Sequence, residues 1–410
     1  MISIARALEI VLASARPQPG EQVALQESLG RVLARDVIVP FDVPPFRNSQ
    51  MDGFAVRASD LTGAGTGSPR SLRVCGDLPA GAAPRVAVGA GEAMRIMTGA
   101  PIPDGADAVV KIEDTETRGD AVEIRHAPRE GEFIRPAGED LRAGDRVLDR
   151  GRVLRPADLG LLASMGEPTV QVSIAPRVAI LSTGDELQPL GQPLGPGQIY
   201  NSNAYALAAA VRDVGASPVV MPIVRDEPGK TRDAFLRAAQ SDVILSTGGV
   251  SVGDHDHVRP IMQEIGLEQR FWRVAQKPGK PLVFAESGSR LYFGLPGNPV
   301  SSLVCFFLYV APVLRRMLGR VDAFPAAKDV VMTEDVGTAR DLTELVRCRI
   351  WSDDGIERAA PTGTQSSGAL RSLALADGLV LSPPGIDRLR AGERYRALDL
   401  VATSTIDPLA

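Results

Sequence analysis

The chain has 410 residues, which at about 150 residues per domain predicts two or three domains, each large enough for its own core. Apolar residues make up 44% and charged residues 23%, with 41 glycines and 32 prolines, a globular balance rich in turns and short of low complexity. A formal net charge of −5 excludes a global basic field, so no nucleic acid and no anionic membrane surface is expected as a partner.

In chain order, residues 1–40 read as a helix followed by extended segments, with Ile4, Leu8, Val11 and Leu12 on one helical face. Ala13-Ser14-Ala15 mimics a signal-peptidase site, but Glu9 interrupts the apolar region and no basic run precedes it. From about 45 to 141 short β-like runs, at 72–74, 93–97 and 108–112, alternate with Gly, Pro and Asp clusters, predicting a small inserted β-rich domain. A helical pattern resumes at 156–165, with Pro156 suited to a first helical position.

Residues 176–320 read as strand, helix, strand, helix, strand, the rhythm of a parallel sheet covered by helices. Expected strands are 178–181, 219–224 and 243–245, and a helix at 203–214 is expected to end on Gly215. Asp226 is a candidate cap for the helix after Pro228, and Asn298 for a closing helix that begins at Pro299. The longest apolar run, 303–314, is too short to span a bilayer and reads as a core helix. From about 322 short strands at 330–332, 345–350, 378–381 and 394–400 predict a small barrel or sandwich. Cys75, Cys305 and Cys348 are far apart and form no CxxC pair, which argues against disulfides and cysteine zinc sites and fits a reducing, cytoplasmic compartment.

The sequence Ser-Thr-Gly occurs at 182–184 and again at 246–248, each time after a buried apolar run. Both would lie at strand C-terminal ends, the edge where open α/β sheets carry their ligands. Thr183, Gly184, Thr247, Gly248, Gly249 and Ser251 supply hydroxyls and approachable backbone for an anion such as phosphate; the competing reading is a pair of plain tight turns. Carboxylates crowd the same loops: Asp185, Glu186, Asp226, Asp254 and Asp256. Singly each reads as a cap or turn residue, but together they suit Mg²⁺ bridging protein and phosphate. His255 and His257 lack a third nitrogen or sulfur ligand nearby, so zinc is the weaker reading. Only five of the 45 basic residues are lysines, yet two of them fall in Lys277-Pro278-Gly279-Lys280-Pro281. A rigid loop with two compact ammonium groups suggests an oxyanion site, against the alternative of a solvated hairpin turn.

Six segments now occur in order: Asn48-Ser49-Gln50-Met51-Asp52-Gly53-Phe54-Ala55-Val56, Arg95-Ile96-Met97-Thr98-Gly99, Ser182-Thr183-Gly184-Asp185-Glu186, residues 246–256, Lys277-Pro278-Gly279-Lys280-Pro281 and Gly294-Leu295-Pro296-Gly297-Asn298-Pro299. Together they resemble the MoeA and gephyrin E-domain family, the molybdopterin molybdenumtransferases. The resemblance spans nearly the whole chain and is weakest after residue 322. It implies an elongated multidomain chain. A linker domain would comprise 1–44 and 142–175, an inserted β-rich domain 45–141, a three-layer α/β molybdopterin-binding domain 176–321, and a barrel-like domain 322–410.

The implied activity is insertion of molybdate into adenylylated molybdopterin with release of AMP, assisted by Mg²⁺. By motif, Asp52, Glu186, Asp226, Asp256, Lys277 and Lys280 would be catalytic, with Glu186, Asp226 and Asp256 holding the metal. Thr98, Arg135, Asp140, Pro296, Asn298 and Pro299 would join the two Ser-Thr-Gly loops in binding substrate, and Arg347 and Ser367 are further candidates in the tail. Phe54 stands where the family often has Tyr, and Arg273 where some members have Lys. The resemblance also implies a homodimer with Asp52 approaching the partner's α/β domain, and a partner adenylyltransferase upstream. Two alternatives remain open. One is the adenylyltransferase itself, usually the α/β domain alone. The other is a gephyrin-like scaffold, a role associated with fused domains and linkers that this sequence does not show.

Overall fold

The computed structural model describes residues 1–225, 227–248, 258–288 and 290–409, with 258 and 259 as backbone only. The chain divides into two units: Met1–Arg35, Arg150–Arg155 and Thr169–Ala410 form the first, Asp36–Asp149 and Pro156–Pro168 the second.

The first unit is built around a six-stranded sheet. Its strand order is Ser217–Val220, Arg177–Ser182, Val243–Thr247, Arg290–Leu295, Val283–Ser287 and Glu268–Trp272. The first four strands are parallel, and Val283–Ser287 runs against both of its neighbours. The sheet is therefore mixed, where the sequence rhythm predicted a parallel one: the tight Gly288 turn joins two adjacent strands as a hairpin, which permits only antiparallel pairing.

Side chains alternate across this sheet with period two. Val178, Ile180, Val243, Leu245, Leu291 and Phe293 point to one face, and pack against helices Ile4–Ser14, Ser202–Asp213 and Pro299–Met317. Ala179, Leu181, Ile244 and Tyr292 point to the other, against helices Pro228–Ala238 and Val258–Glu264. Three layers result, with the N-terminal helix inside the same core. Helix Pro299–Met317 is long and apolar enough for a bilayer by length and composition, unlike the shorter run read from sequence, yet most of it is buried in this core. The second predicted strand is also displaced: it ends at Val220, and Val224 makes only an isolated bridge to Thr183. Gly215 does follow its helix with φ +92°, the left-handed turn that a glycine accommodates.

Five strands, Phe324–Met332, Thr343–Asp353, Ile356–Pro361, Gly378–Ser382 and Arg394–Ser404, complete this unit. Each pairs with two neighbours, and the Thr343–Asp353 to Gly378–Ser382 pairing closes the ring into a barrel rather than a sandwich. Gln276–Lys277 adds itself to the barrel as a parallel partner of Thr343 and Glu344.

The second unit carries a six-stranded sheet in the order Ala108–Lys111, Gly53–Val56, Glu92–Ile96, Arg70–Leu78, Ala121–Ile124 and Thr115–Arg118. Both faces are covered: Phe54, Val56 and Val110 enter one core, while Ala55, Met94, Ile96 and Val109 enter another. This is why its strands read as continuous apolar runs.

Candidate functional site

In the first unit a cleft of about 1180 Å³ opens at the carboxyl ends of the parallel strands. That is larger than the roughly 300–1,000 Å³ typical of small-ligand sites, so it has room for a ligand larger than most. Three walls form it.

The first wall is the pair of strand ends. Ser182 and Thr247 are in register, and Thr183 N–H donates to Thr247 O at 3.2 Å. Gly248 has φ +88°, and a Cβ there would lie 2.8 Å from Thr183 O, so glycine is required for the two ends to meet. Gly184 has φ +146°, and a Cβ would overlap the Glu186 carboxylate, which folds back over this backbone. The serines of both Ser-Thr-Gly segments lie inside the sheet instead: Ser246 bonds Tyr292 Oη at 2.7 Å, and Ser182 accepts from Thr247 Oγ1 at 3.4 Å. Thr247 is itself the last strand residue, because the strand runs two residues beyond the apolar run that sequence reading stopped at.

The second wall brings two helix starts to the cleft. Asn201 caps helix Ser202–Asp213 by accepting from Ala204 N–H at 3.3 Å, and Asn203 Nδ2 donates to Gly297 O at 2.7 Å. Asn201, Ser202 and Asn203 all line the cleft, as do Pro296, Gly297, Asn298 and Pro299. Helix N-termini favour anions, through free N–H groups and the helix dipole. Asn298 occupies the cap position expected of it but makes no side-chain cap. Its amide donates instead to Ser367 Oγ at 2.8 Å, while Val300 N–H donates to Ser367 O at 3.2 Å, tying the helix start to the barrel.

The third wall is the lysine segment and the barrel loops. Lys277 and Lys280 are exposed to the cleft on a strap that joins the barrel edge, not on a hairpin turn. Lys277 Nζ lies 3.0 Å from the buried carboxylate of Glu344, whose other oxygen accepts from Ala339 N–H at 2.6 Å. Lys280 forms no ion pair among the described residues. Arg347, a candidate ligand contact by sequence, is only 1% exposed and does not line the cleft. Its Nε donates to Ser372 Oγ at 2.8 Å and its Nη2 to the carbonyls of Thr364 and Ser366 at 3.2 Å. It thereby shapes the loop that presents Gln365, Ser366 and Ser367; burial lowers its pKa, opposed by the nearby Glu344 charge.

Of the residues expected from sequence, Thr183, Glu186, Thr247, Gly248, Lys277, Lys280, Pro296, Asn298, Pro299 and Ser367 line one cleft. Asp226, Gly249, Ser251 and Asp256, with His255 and His257, lie outside the described residues. Asn201, Ser202, Asn203 and Glu344 were missed. A cap asparagine beside the Pro/Gly loop was the available signal for the first three; for Glu344 there was none.

Among the described residues no group of three His, Cys, Asp or Glu side chains could hold a metal, and two of the three expected Mg²⁺ ligands lie outside them. Glu186 contributes a hard carboxylate oxygen on the cleft wall, donor chemistry that suits Mg²⁺.

In the second unit, Asp52 accepts from Thr98 N–H at 2.7 Å and Thr98 Oγ1 at 2.6 Å. The hydroxyl, the backbone N–H and the Arg95 charge hold its carboxyl below the usual range. Segment 48–49 pairs with Ile134–Arg135, and Gly99 N–H donates to Ser49 O, so the Asp52 loop is held from both sides. Arg135 pairs with Glu139 at 2.6 Å, and Asp140 is exposed, held through its own N–H to Val43 O.

A chain with two helix starts and a lysine strap around one large cleft at its strand ends is a multidomain α/β protein whose cleft carries the donor groups and positive charge that suit an anionic ligand. Family models match it in three consecutive pieces: the MoeA N-terminal region (domains I and II) over residues 2–166, a probable molybdopterin-binding domain over 179–316, and the MoeA C-terminal region (domain IV) over 329–400. A molybdopterin molybdenumtransferase of a Nostoc species is 38% identical over 392 residues, covering 93% of this chain and 89% of the relative. Molybdopterin molybdenumtransferase 2 of Mycobacterium tuberculosis is 38% identical over 386 residues, covering 92% and 94%. The crystal structure of a MoeA molybdopterin biosynthesis protein from a Pyrococcus species superposes with TM-score 0.86 at 33% identity, covering 98% of this chain and 99% of that one. The chain belongs to the MoeA family of molybdopterin molybdenumtransferases.

Proposed function

We propose that this chain inserts molybdate into adenylylated molybdopterin and releases AMP. The observation that carries this reading is the cleft that brings the strand ends at Thr183 and Gly248, two helix starts and the Lys277–Lys280 strap together. The helix start at Ser202 and Asn203 offers N–H groups to phosphate, and the lysines offer compact positive charge to a tetrahedral oxyanion. The barrel loop at 365–368, tied to Asn298 through Ser367, forms the far wall of the cleft. That wall favours the transferase over the adenylyltransferase alternative, whose family is usually the α/β domain alone.

Mg²⁺ is the metal this site would take: Glu186 would hold it together with Asp226 and Asp256, and it would offset charge on the phosphates when bound. In this reading Asp52 is the catalytic residue of the second unit, and Thr98, Arg135 and Asp140 form its substrate-binding set. The protein acts in the cytoplasm as a homodimer, receiving its substrate from an adenylyltransferase.

The decisive measurement is AMP release from adenylylated molybdopterin and Mg²⁺, with and without molybdate. Molybdate-stimulated AMP and formation of active cofactor are expected. Equal AMP release in both arms, with no cofactor formed, refutes the reading. Sedimentation gives the homodimer its own test, a monomer mass refuting it.

A further inference from the structure

The lysine strap is anchored from below by a polar group of three fully buried residues. Cys305 and Tyr309 are four residues apart on helix Pro299–Met317, so they share a face, and that face meets Gln276 at the base of the strap. Tyr309 Oη–H donates to Gln276 Oε1. Gln276 Nε2 donates to Pro278 O at 3.1 Å and to Cys305 Sγ at 3.6 Å, and Cys305 S–H donates to Gly279 O at 3.6 Å. Every polar atom of the Gln276 side chain is thus satisfied, which fixes its orientation. Gly279 has φ +93°, and a Cβ there would lie 2.6 Å from Cys305 Sγ and 2.7 Å from Gln276 Nε2. Only glycine lets the strap descend onto this group.

Burying three polar side chains in an otherwise apolar core costs stability unless each is bonded. Two of the bonds here end on the carbonyls of Pro278 and Gly279, the two residues between the lysines. We propose that Tyr309, Gln276 and Cys305 form a positioning network that sets the separation of the Lys277 and Lys280 ammonium groups, and so tunes the cleft to a tetrahedral oxyanion. This rests on the reading of the strap as the molybdate-holding element. None of the three residues touches the oxyanion; they act through the strap backbone.

The test uses the full chain with Tyr309→Phe, Gln276→Met and Cys305→Ser. Two quantities are measured: amide hydrogen exchange at Lys277, Gly279 and Lys280, and kcat and KM for molybdate in AMP release. Loss of one bond in Tyr309→Phe should speed exchange at the strap about tenfold, and raise KM for molybdate about tenfold with kcat within about twofold; Gln276→Met, which removes all three bonds of the Gln276 amide, should do at least as much. Exchange in strand Val243–Thr247 should not change. Cys305→Ser, which keeps a donor, should behave as wild type. Unchanged strap exchange in a folded Tyr309→Phe overturns the proposal, as does faster exchange with unaltered KM; if that variant does not fold, Gln276→Met is judged by the same criteria. A Lys280→Ala control separates the two failures. If it leaves molybdate dependence intact, the functional reading of the strap has failed, and exchange alone decides the network.

Discussion

Replacing Lys277 by Met removes one charge from the cleft rim and strands another. Glu344 is the partner, 3.0 Å away, with its side chain 3% exposed while that of Lys277 is 50% exposed. Fully exposed pairs contribute about 0.2–1 kcal/mol, and breaking a fully buried one costs about 3–5 kcal/mol. This pair has one member on each side of that divide, so we expect a coupling of about 1–2 kcal/mol. The order of stabilities is the sharper expectation. Lys277→Met alone should be less stable than the double variant Lys277→Met/Glu344→Gln, because the double variant leaves no carboxylate uncompensated in the barrel. Glu344→Gln keeps an oxygen for Ala339 N–H but removes the charge that offsets the burial of Arg347, so Glu344→Gln alone is measured as the fourth corner of the cycle. Urea unfolding followed by tryptophan fluorescence suits the measurement, since both tryptophans, Trp272 and Trp351, lie in strands of the unit that carries the pair. Additive effects within about 0.5 kcal/mol, or a double variant weaker than Lys277→Met, would refute the assignment of this pair as partly buried and coupled.

Three further outcomes are expected. Lys280→Arg keeps charge but replaces a compact ammonium by a wider fork, and should cost about 1–3 kcal/mol in molybdate-dependent turnover with the melting temperature unmoved; wild-type turnover would make Lys280 an ordinary loop charge. Gly248→Ala combines a left-handed residue, about 1–2 kcal/mol, with a Cβ 2.8 Å from Thr183 O, about 1–3 kcal/mol of overpacking, so its unfolding midpoint should fall clearly below wild type, and an unchanged midpoint would show the two strand ends to be loose. Thr98→Val removes the hydroxyl bond that most lowers the Asp52 pKa, so carboxyl NMR should find that pKa raised toward 3.8. Because the wild-type folded pKa is depressed, its stabilising contribution is present above the unfolded value and fades as pH falls through the folded one; the variant should lose part of it, and an unmoved Asp52 titration would contradict the bond.

Local signals were enough to recover the α/β rhythm, the strand-end glycines and the lysine strap from the sequence. Apolar period, Gly after a strand and two rare lysines in one Pro/Gly loop each depend on residues adjacent in the chain. No local signal marked Arg347 or Ser367; only the family resemblance made them candidates, and it did not say what they do: Arg347 proved to be a buried support for the loop, and Ser367 the link between barrel and helix start. What tertiary structure alone decided is long-range pairing. The closure of the barrel through Thr343–Asp353 and Gly378–Ser382, and the shift of the second strand to Ser217–Val220, follow from which edges meet. Asn298 illustrates the difference best. Its position before Pro299 marks a helix start in any sequence, but its side chain does not accept from the helix N–H groups as a cap would; its Nδ2 donates to the Ser367 hydroxyl, 69 residues later, which only the folded barrel brings alongside. Lys277 is the same case in charge: composition placed it in the cleft, and a buried glutamate 67 residues away determines where its ammonium rests.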